Sequence, residues 1–257
     1  MAGQKDGIFH GILHRRALRR WLRAAEAAGT TDLETLRLMR GRARQLRRAV
    51  DRVLHVAEGR LALPLIGANT VPRPLHADWV WRPQIWSGPI FPPGRAAAPN
   101  GTRFGDEATL YHDCARSELT VRQIRNDREA DQAPFGLRMD VFRFDGSFLS
   151  LVVELPEAAV SGLKLRHLIR METIVELEKP LEIFARLNVR HGPNVEQVVR
   201  ELPLHEEERM VEFDLAYTAM NEKRIERAWI DLIFEGPQMN QIVLRDLTFS
   251  RRPRSEM

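Results

Sequence analysis

Glu182, Phe184, Arg186, Asn188 and Arg190 alternate along one short stretch of a 257-residue chain, setting an aromatic ring among two guanidinium groups, an amide and a carboxylate. In an extended strand every second side chain points the same way, so these residues share a face. An aromatic ring packs against the apolar face of a sugar while amides and guanidinium groups bond its hydroxyls, and a guanidinium also grips a carboxylate through two parallel bonds. Phe184, Arg186, Asn188 and Arg190 are therefore the candidate ligand-binding residues, for a sugar or an acidic group. An ordinary solvated sheet face carries the same pattern.

Catalytic constellations are sparse. There is no Gly-x-Ser-x-Gly elbow, and Ser147 and Ser150 stand in an expected strand without an assigned base. His112, Asp113 and Cys114 are consecutive, so on a strand Asp113 points away from the other two, and Cys114 reads as a small buried hydrophobe. No catalytic residue is assigned. Metal motifs of the Cys-x-x-Cys or His-Glu-x-x-His kind are missing. Asp106 and Glu107 beside Gly105 offer oxygen ligands to calcium but lack an Asp-x-Asp spacing, so no metal ligand and no cofactor is expected. His167, on an apolar face, reads as a hydrogen-bonded core residue. Neither glycine-rich phosphate-loop pattern occurs, which argues against nucleotide chemistry.

The net charge of +4 hides an asymmetry. Residues 1–60 carry 14 Lys+Arg against 6 Asp+Glu, and the remainder 25 against 29. Five of the arginines, Arg15, Arg16, Arg19, Arg20 and Arg23, line one face of an amphipathic helix expected from His14 to Ala28, opposite His14, Leu18, Trp21, Ala25 and Ala28. Such a face suits an anionic membrane surface or an acidic protein, and an ordinary solvated helix face carries the same stripe. Nucleic acid ranks below these, because its recognition interleaves stacking aromatics with arginine and Trp21 lies on the other side.

Gly29 is placed to end this helix, and Thr31 with Glu34 has the capping-box spacing that starts another. The second helix repeats Leu36, Met39, Ala43, Leu46, Val50, Val53 and Ala57 in steps of three and four, a coiled-coil seam. The two are expected to fold back as an antiparallel hairpin. A helix from Asp32 to Glu58 is about 40 Å long at ~1.5 Å per residue, more than the first can cover. Its far end must meet the rest of the chain, a second copy or another partner.

From Pro64 to Gly105 proline accumulates, yet Trp79, Trp81, Trp86 and Phe91 lie there too. Large aromatics are seldom left in water, so this segment is expected to strap across a folded domain. Nine strand-like runs follow: Leu119–Ile124, Leu137–Phe144, Phe148–Leu155, Leu165–Leu177, Leu181–Arg190, Val195–Leu202, Arg209–Leu215, Arg227–Phe234 and Ile242–Ser250. Asp145-Gly146 signals a hairpin, and His191-Gly192-Pro193-Asn194 another turn. With no crossover helices between them, these strands predict an antiparallel sandwich with Arg227–Phe234 at its centre.

The strand order and the closing run Val243-Leu244-Arg245-Asp246-Leu247-Thr248-Phe249 resemble the jelly-roll sandwiches of galactose-binding-like and carbohydrate-binding modules over residues 104–250. The runs Phe184-Ala185-Arg186-Leu187-Asn188-Val189-Arg190 and Ala228-Trp229-Ile230-Asp231-Leu232-Ile233-Phe234 resemble an uncharacterised family of bacterial proteins. Neither resemblance implies a particular binding residue.

The expected architecture is mainly β with an N-terminal α-helical part: a coiled-coil-like hairpin over 7–60, a proline-rich aromatic strap over 61–103 and a jelly-roll-like antiparallel sandwich over 104–251. The expected function is a non-catalytic interaction module, its sandwich binding a glycan or protein and its basic hairpin docking on a second surface. The rivals are a hydrolytic enzyme using His112, Asp113 and Asp231 between strap and sandwich, and an assembly protein that oligomerises through the second helix. No apolar run nears the roughly 18 residues needed to span a bilayer. A single cysteine and an N-terminus without a secretory pattern lead to a cytoplasmic expectation.

Overall fold

The computed structural model describes residues 3–61, 71–128, 131–203 and 208–254. The chain forms two compact units, Met1–Leu54 and His55–Met257. The first consists of helix α1 (Gly3–Ala27) and most of helix α2 (Leu33–Leu61). The chain leaves α1 without left-handed backbone at Gly29; instead the Thr30 and Thr31 hydroxyls donate to the Ala27 carbonyl at 3.2 and 2.8 Å. That occupies Thr31, and the cap of α2 moves one residue on, to Asp32, whose Oδ1 accepts from the Thr35 N–H at 2.8 Å. A carboxylate accepts more strongly than a hydroxyl and favours a helix N-terminus. The Thr35 bond holds the Asp32 carboxyl below its ordinary pKa.

The coiled-coil seam expected on α2 is not closed. Among the described side chains of residues 14–54 none is fully buried, and Leu46, Val50 and Val53 are 44, 47 and 67% exposed. Among them only positions near the turn are half-buried, Trp21 and Ala24 on α1 and Leu36, Met39 and Ala43 on α2.

The second unit is an antiparallel sandwich. Its strands are β1 (Trp79–Trp81), β2 (Gly94–Arg95), β3 (Thr102–Phe104), β4 (Ala108–His112), β5 (Leu119–Arg125), β6 (Phe135–Val141), β7 (Leu149–Glu154), β8 (His167–Leu177), β9 (Ile183–His191), β10 (Asn194–Glu201), β11 (Glu208–Asp214), β12 (Ile225–Phe234) and β13 (Asn240–Pro253). Two single-turn helices, α3 (Gln84–Ser87) and α4 (Glu157–Val160), interrupt them. One sheet runs β11-β8-β13-β6-β5-β2 with β1 added to β13, the other β10-β9-β12-β7-β4-β3. Successive strands pass repeatedly from one sheet to the other, as in a jelly roll. All nine expected strands are present as β5–β13, and β12 lies inside its sheet between β9 and β7.

Gly192-Pro193 does close a two-residue hairpin, with Gly192 at φ 61° and His191 paired to Asn194. Asp145-Gly146 does not. It joins β6 to β7, which belong to opposite sheets. Its glycine answers a close approach instead, since a Cβ on Gly146 would stand 2.5 Å from Asp113 Oδ1 and 3.0 Å from the Cys114 nitrogen. Gly146→Ala is expected to cost about 1–3 kcal/mol by overpacking, read from urea denaturation midpoints.

Residues 62–70 of the expected strap lie outside the described residues; those from Ala77 onward are built into the sandwich. Ile85 and Trp86 are fully buried, and Trp86 Nε1–H donates to the Leu244 carbonyl at 2.9 Å. Trp81 stacks on Phe249, with centroids 5.8 Å apart, and Trp79 stacks on Trp81. Arg82 grips Asp246 through two bonds of 2.9 and 2.7 Å. Trp86 is thus a core residue and Trp79 and Trp81 pack against the core, which is why so irregular a segment keeps one path, while Phe91 is 45% exposed.

His167 is buried, and its Nδ1 accepts from the Lys164 N–H at 3.0 Å. Burial lowers its pKa, partly offset by the nearby Asp78 carboxylate.

Candidate functional site

The outward face of the sheet β10-β9-β12-β7-β4-β3 gathers the residues singled out on β9. Along β9 the buried set is Ile183, Ala185, Leu187 and Val189, so Phe184, Arg186, Asn188 and Arg190 point away from the core. On β12 the alternation of Ala228, Ile230, Leu232 and Phe234 turns Arg227, Trp229, Asp231 and Ile233 to that same outer face.

Register sorts these side chains into rows. Phe184 pairs with Ile233, Ile233 with Ser150, and Ser150 with Tyr111, a row crossing four strands. At ~4.8 Å per strand it extends about 14 Å from ring to ring. The next row runs Val199, Arg186, Asp231, Val152, Thr109 and Arg103. A third holds Gln197, Asn188, Trp229 and Glu154.

Asp231 is the hub of the polar part. Its Oδ2 accepts from Arg186 Nε at 2.8 Å, Arg186 Nη2 at 2.6 Å and Asn188 Nδ2 at 3.1 Å. Asn188 Oδ1 in turn accepts from Gln197 Nε2 at 3.0 Å, so one chain of bonds crosses three strands. Asp231 and Asn188 are 4 and 1% exposed although they sit on the outer face, because their neighbours lean over them. Asp231 Oδ1 takes none of these bonds and remains an acceptor, while Ser150 Oγ is enclosed without a partner. Around them Tyr111 is 41% exposed, Phe184 and Trp229 are half-buried, and the Arg227 guanidinium lies 4.8 Å from the Trp229 ring centre.

The face is close to electrically balanced. Arg186 pairs with Asp231, Arg190 with Glu226 at 3.2 Å, and Arg227 with Glu154 at 3.7 Å. Three of the four expected residues therefore join the row system, while Arg190 lies at its end, engaged by Glu226. Asp231 and Trp229 were legible as outward positions of β12, and only the pairing of β9 with β12 makes them neighbours of Arg186 and Asn188. Tyr111 and Ser150 carry no such sequence signal.

The hydrolytic trio does not assemble. His112 points into the core, its Nε2 2.9 Å from the Ala98 carbonyl and its Nδ1 accepting from the Cys114 N–H. Asp113 binds the Ser147 hydroxyl at 2.6 Å and the N–H groups of Ser147 and Phe148, bonds that keep its carboxyl below the ordinary value, the hydroxyl contributing most. Asp231 stands on the far side of the sheet from His112. Burial pushes the Cys114 thiol up, away from the thiolate a nucleophile needs. Glu107, weighed above as a calcium ligand, accepts instead from the Gln84 and Asp106 N–H groups at 2.6 and 3.2 Å. No cluster of three metal-ligating side chains occurs among the described residues.

Several solved structures are similar to this chain in part. The chain is similar to the family 11 carbohydrate-binding module from Clostridium thermocellum in complex with a β-1,3-1,4-mixed-linked tetrasaccharide, at 10% identity and a TM-score of 0.39, covering 63% of this chain and 97% of that one. It is similar also to the C-terminal family 22 carbohydrate-binding module of Clostridium thermocellum Xyn10B, at 6% identity and a TM-score of 0.39, covering 73% and 100%. A third is the enzymatically active domain of tailspike protein 4 from bacteriophage CBA120, at 8% identity and a TM-score of 0.39, where the match covers 56% of this chain and only 19% of that one. No curated protein matches the sequence. One family does match, over residues 1–257, and its description is a family of unknown function. The protein belongs to that family, DUF6478.

Proposed function

We propose that the second unit is a non-catalytic glycan-binding module and that its ligand is a neutral sugar chain lying across the β9-β12-β7-β4 face. The observation that carries this reading is the Asp231 carboxylate, whose Oδ2 takes all three of its hydrogen bonds and leaves Oδ1 as an acceptor on a face that also carries the rings of Phe184, Tyr111 and Trp229. Sugar hydroxyls donate to Asp231 Oδ1, while the rings and Ile233 receive the apolar faces. Neutrality follows from the ion pairs, since Arg186, Arg190 and Arg227 each already face a carboxylate and an acidic sugar would have to displace one. The row of about 14 Å suits an oligosaccharide better than a single ring.

The test is affinity electrophoresis and calorimetry of the full chain with mixed-linkage glucan, xylan and β-1,4-galactan as first probes. Binding of a neutral polysaccharide is expected, with Trp229→Ala and Tyr111→Ala each weakening it about tenfold or more and leaving the melting temperature within a few degrees of wild type. Failure of every neutral polysaccharide to bind, or binding indifferent to both substitutions, would overturn the proposal.

A further inference from the structure

The N-terminal helices carry a second surface, independent of the glycan face. Between residues 14 and 54 there are twelve arginines, no lysine and four acidic residues, Glu26, Asp32, Glu34 and Asp51. At 100° per residue, Arg15, Arg16, Arg19, Arg20 and Arg23 fall opposite Leu18, Trp21 and Ala25 on α1. On α2, Arg37, Arg44, Arg48 and Arg52 fall opposite Leu46, Val50 and Val53, with Arg40 and Arg47 at the border of the two sides. The apolar sides meet water: Leu18 and Leu22 are 51 and 54% exposed, Leu38 64% and Leu54 51%. Monomeric soluble proteins rarely leave such stripes uncovered.

We propose that α1 and α2 lie in the plane of an anionic lipid bilayer, their apolar stripes sunk among the upper acyl chains and their arginines on the lipid phosphates. Three observations select this occupant. A second copy would bring together two units that each carry eight net positive charges over residues 14–54, so self-association works against its own electrostatics. A nucleic acid answers the arginines but leaves the leucines and valines in water, and the one aromatic residue of 14–54, Trp21, falls on the side away from the arginines, where it offers bases no stacking partner beside them. Arg42 decides between a bilayer and the closed groove of an acidic protein. It stands inside the apolar arc of α2, with Leu38 and Leu46 one turn to either side. In a protein groove that charge would be buried and need its own partner, whereas at a lipid interface its long side chain snorkels to a phosphate.

The helix dimensions agree. With 25 and 29 residues, a basic polar side and leucine, valine and tryptophan opposite, both have the make-up of interfacial helices, and neither described helix is long and apolar enough to cross a membrane. Arginine in place of lysine suits phosphate, since its planar fork bonds two oxygens at once.

The experiment is vesicle flotation of the full chain, with vesicles of phosphatidylcholine alone and of equimolar phosphatidylcholine and phosphatidylserine. Flotation with the anionic vesicles only, weakening as salt rises, is expected. Replacing Arg15, Arg16, Arg19, Arg20 and Arg23 together by glutamine should lower the affinity roughly a hundredfold or more. Leu46→Ser, Val50→Ser and Val53→Ser together should lower it by a similar factor while every arginine remains. All eight positions are exposed, and helical circular dichroism of the unbound variants checks that the helices persist. Absence of flotation at low salt overturns the proposal. So does flotation indifferent to the serine variant, which would mean adsorption of charge without insertion, and so does tight binding of duplex DNA or RNA by a chain that ignores vesicles.

Discussion

Arg82→Ala is expected to lower the stability of the sandwich unit by about 3–5 kcal/mol, the range for leaving one charge of a buried pair without its partner. The Arg82 and Asp246 side chains are 1 and 7% exposed. Arg82 Nε donates to Oδ1 at 2.9 Å and Nη2 to Oδ2 at 2.7 Å, and the Leu247 N–H adds a bond of 2.8 Å to Oδ1. Burial pushes the Asp246 carboxyl above its ordinary pKa, against the downward pull of Arg82. Because its folded pKa lies above the unfolded value, Asp246 favours folding fully only below about pH 3.9, and that contribution is lost as pH rises through the folded value. At neutral pH the carboxylate is therefore tolerated because Arg82 is there, and removing Arg82 exposes the whole desolvation cost. Arg82→Met with Asp246→Leu should recover most of the loss, since apolar replacement of a buried pair is often neutral or better. Urea denaturation of the three proteins checks this. A single-variant loss below about 1 kcal/mol would show that the strap is not locked through this pair.

Asp231→Ala is expected to lose at least about tenfold in affinity for whichever polysaccharide the wild type retains, together with about 1–3 kcal/mol of stability. One oxygen of this carboxylate holds Arg186 and Asn188, and Asn188 holds Gln197, so the substitution removes the free acceptor and unfastens the side chains that shape its surroundings. Arg186 is about a third exposed and recovers water on losing its partner, which keeps the stability cost below that of Arg82→Ala. Ser150→Ala, by contrast, removes an enclosed hydroxyl without a partner and should leave binding unchanged and stability unchanged or slightly higher. Unaltered affinity in Asp231→Ala would exclude this face as the binding site.

Those two contrasts, Arg82 with Asp246 and Asp231 with Ser150, also mark where sequence reading stops. Arg82 and Asp246 are 164 residues apart, and no local pattern relates them. Ser150 and Tyr111 are unremarkable within their own strands and join the row only because β7 sits between β12 and β4. The short strands β1–β4, two to five residues each, lack the length for a visible period and were absent from the expected set. Asp145-Gly146 misled because a turn signal reports local backbone preference and cannot distinguish a hairpin from a passage between sheets.

What the sequence determined by itself was the two long helices, nine of the thirteen described strands and the inner faces of those strands. Alternation along Ile183–Val189 and Ala228–Phe234 and the three-four steps of α2 reflect how side chains leave a strand or a helix, a property of consecutive residues. The outward placement of Phe184, Arg186 and Asn188 came with it. Only the tertiary structure decided which strands are neighbours, and hence that Asp231 meets Arg186, that His112 is turned away from it, and that Trp86 belongs to the core. Strand pairing is settled by the summed burial and hydrogen bonding of the whole sandwich, in which each contact joins residues far apart in the chain and no single stretch holds enough free energy to choose its partner.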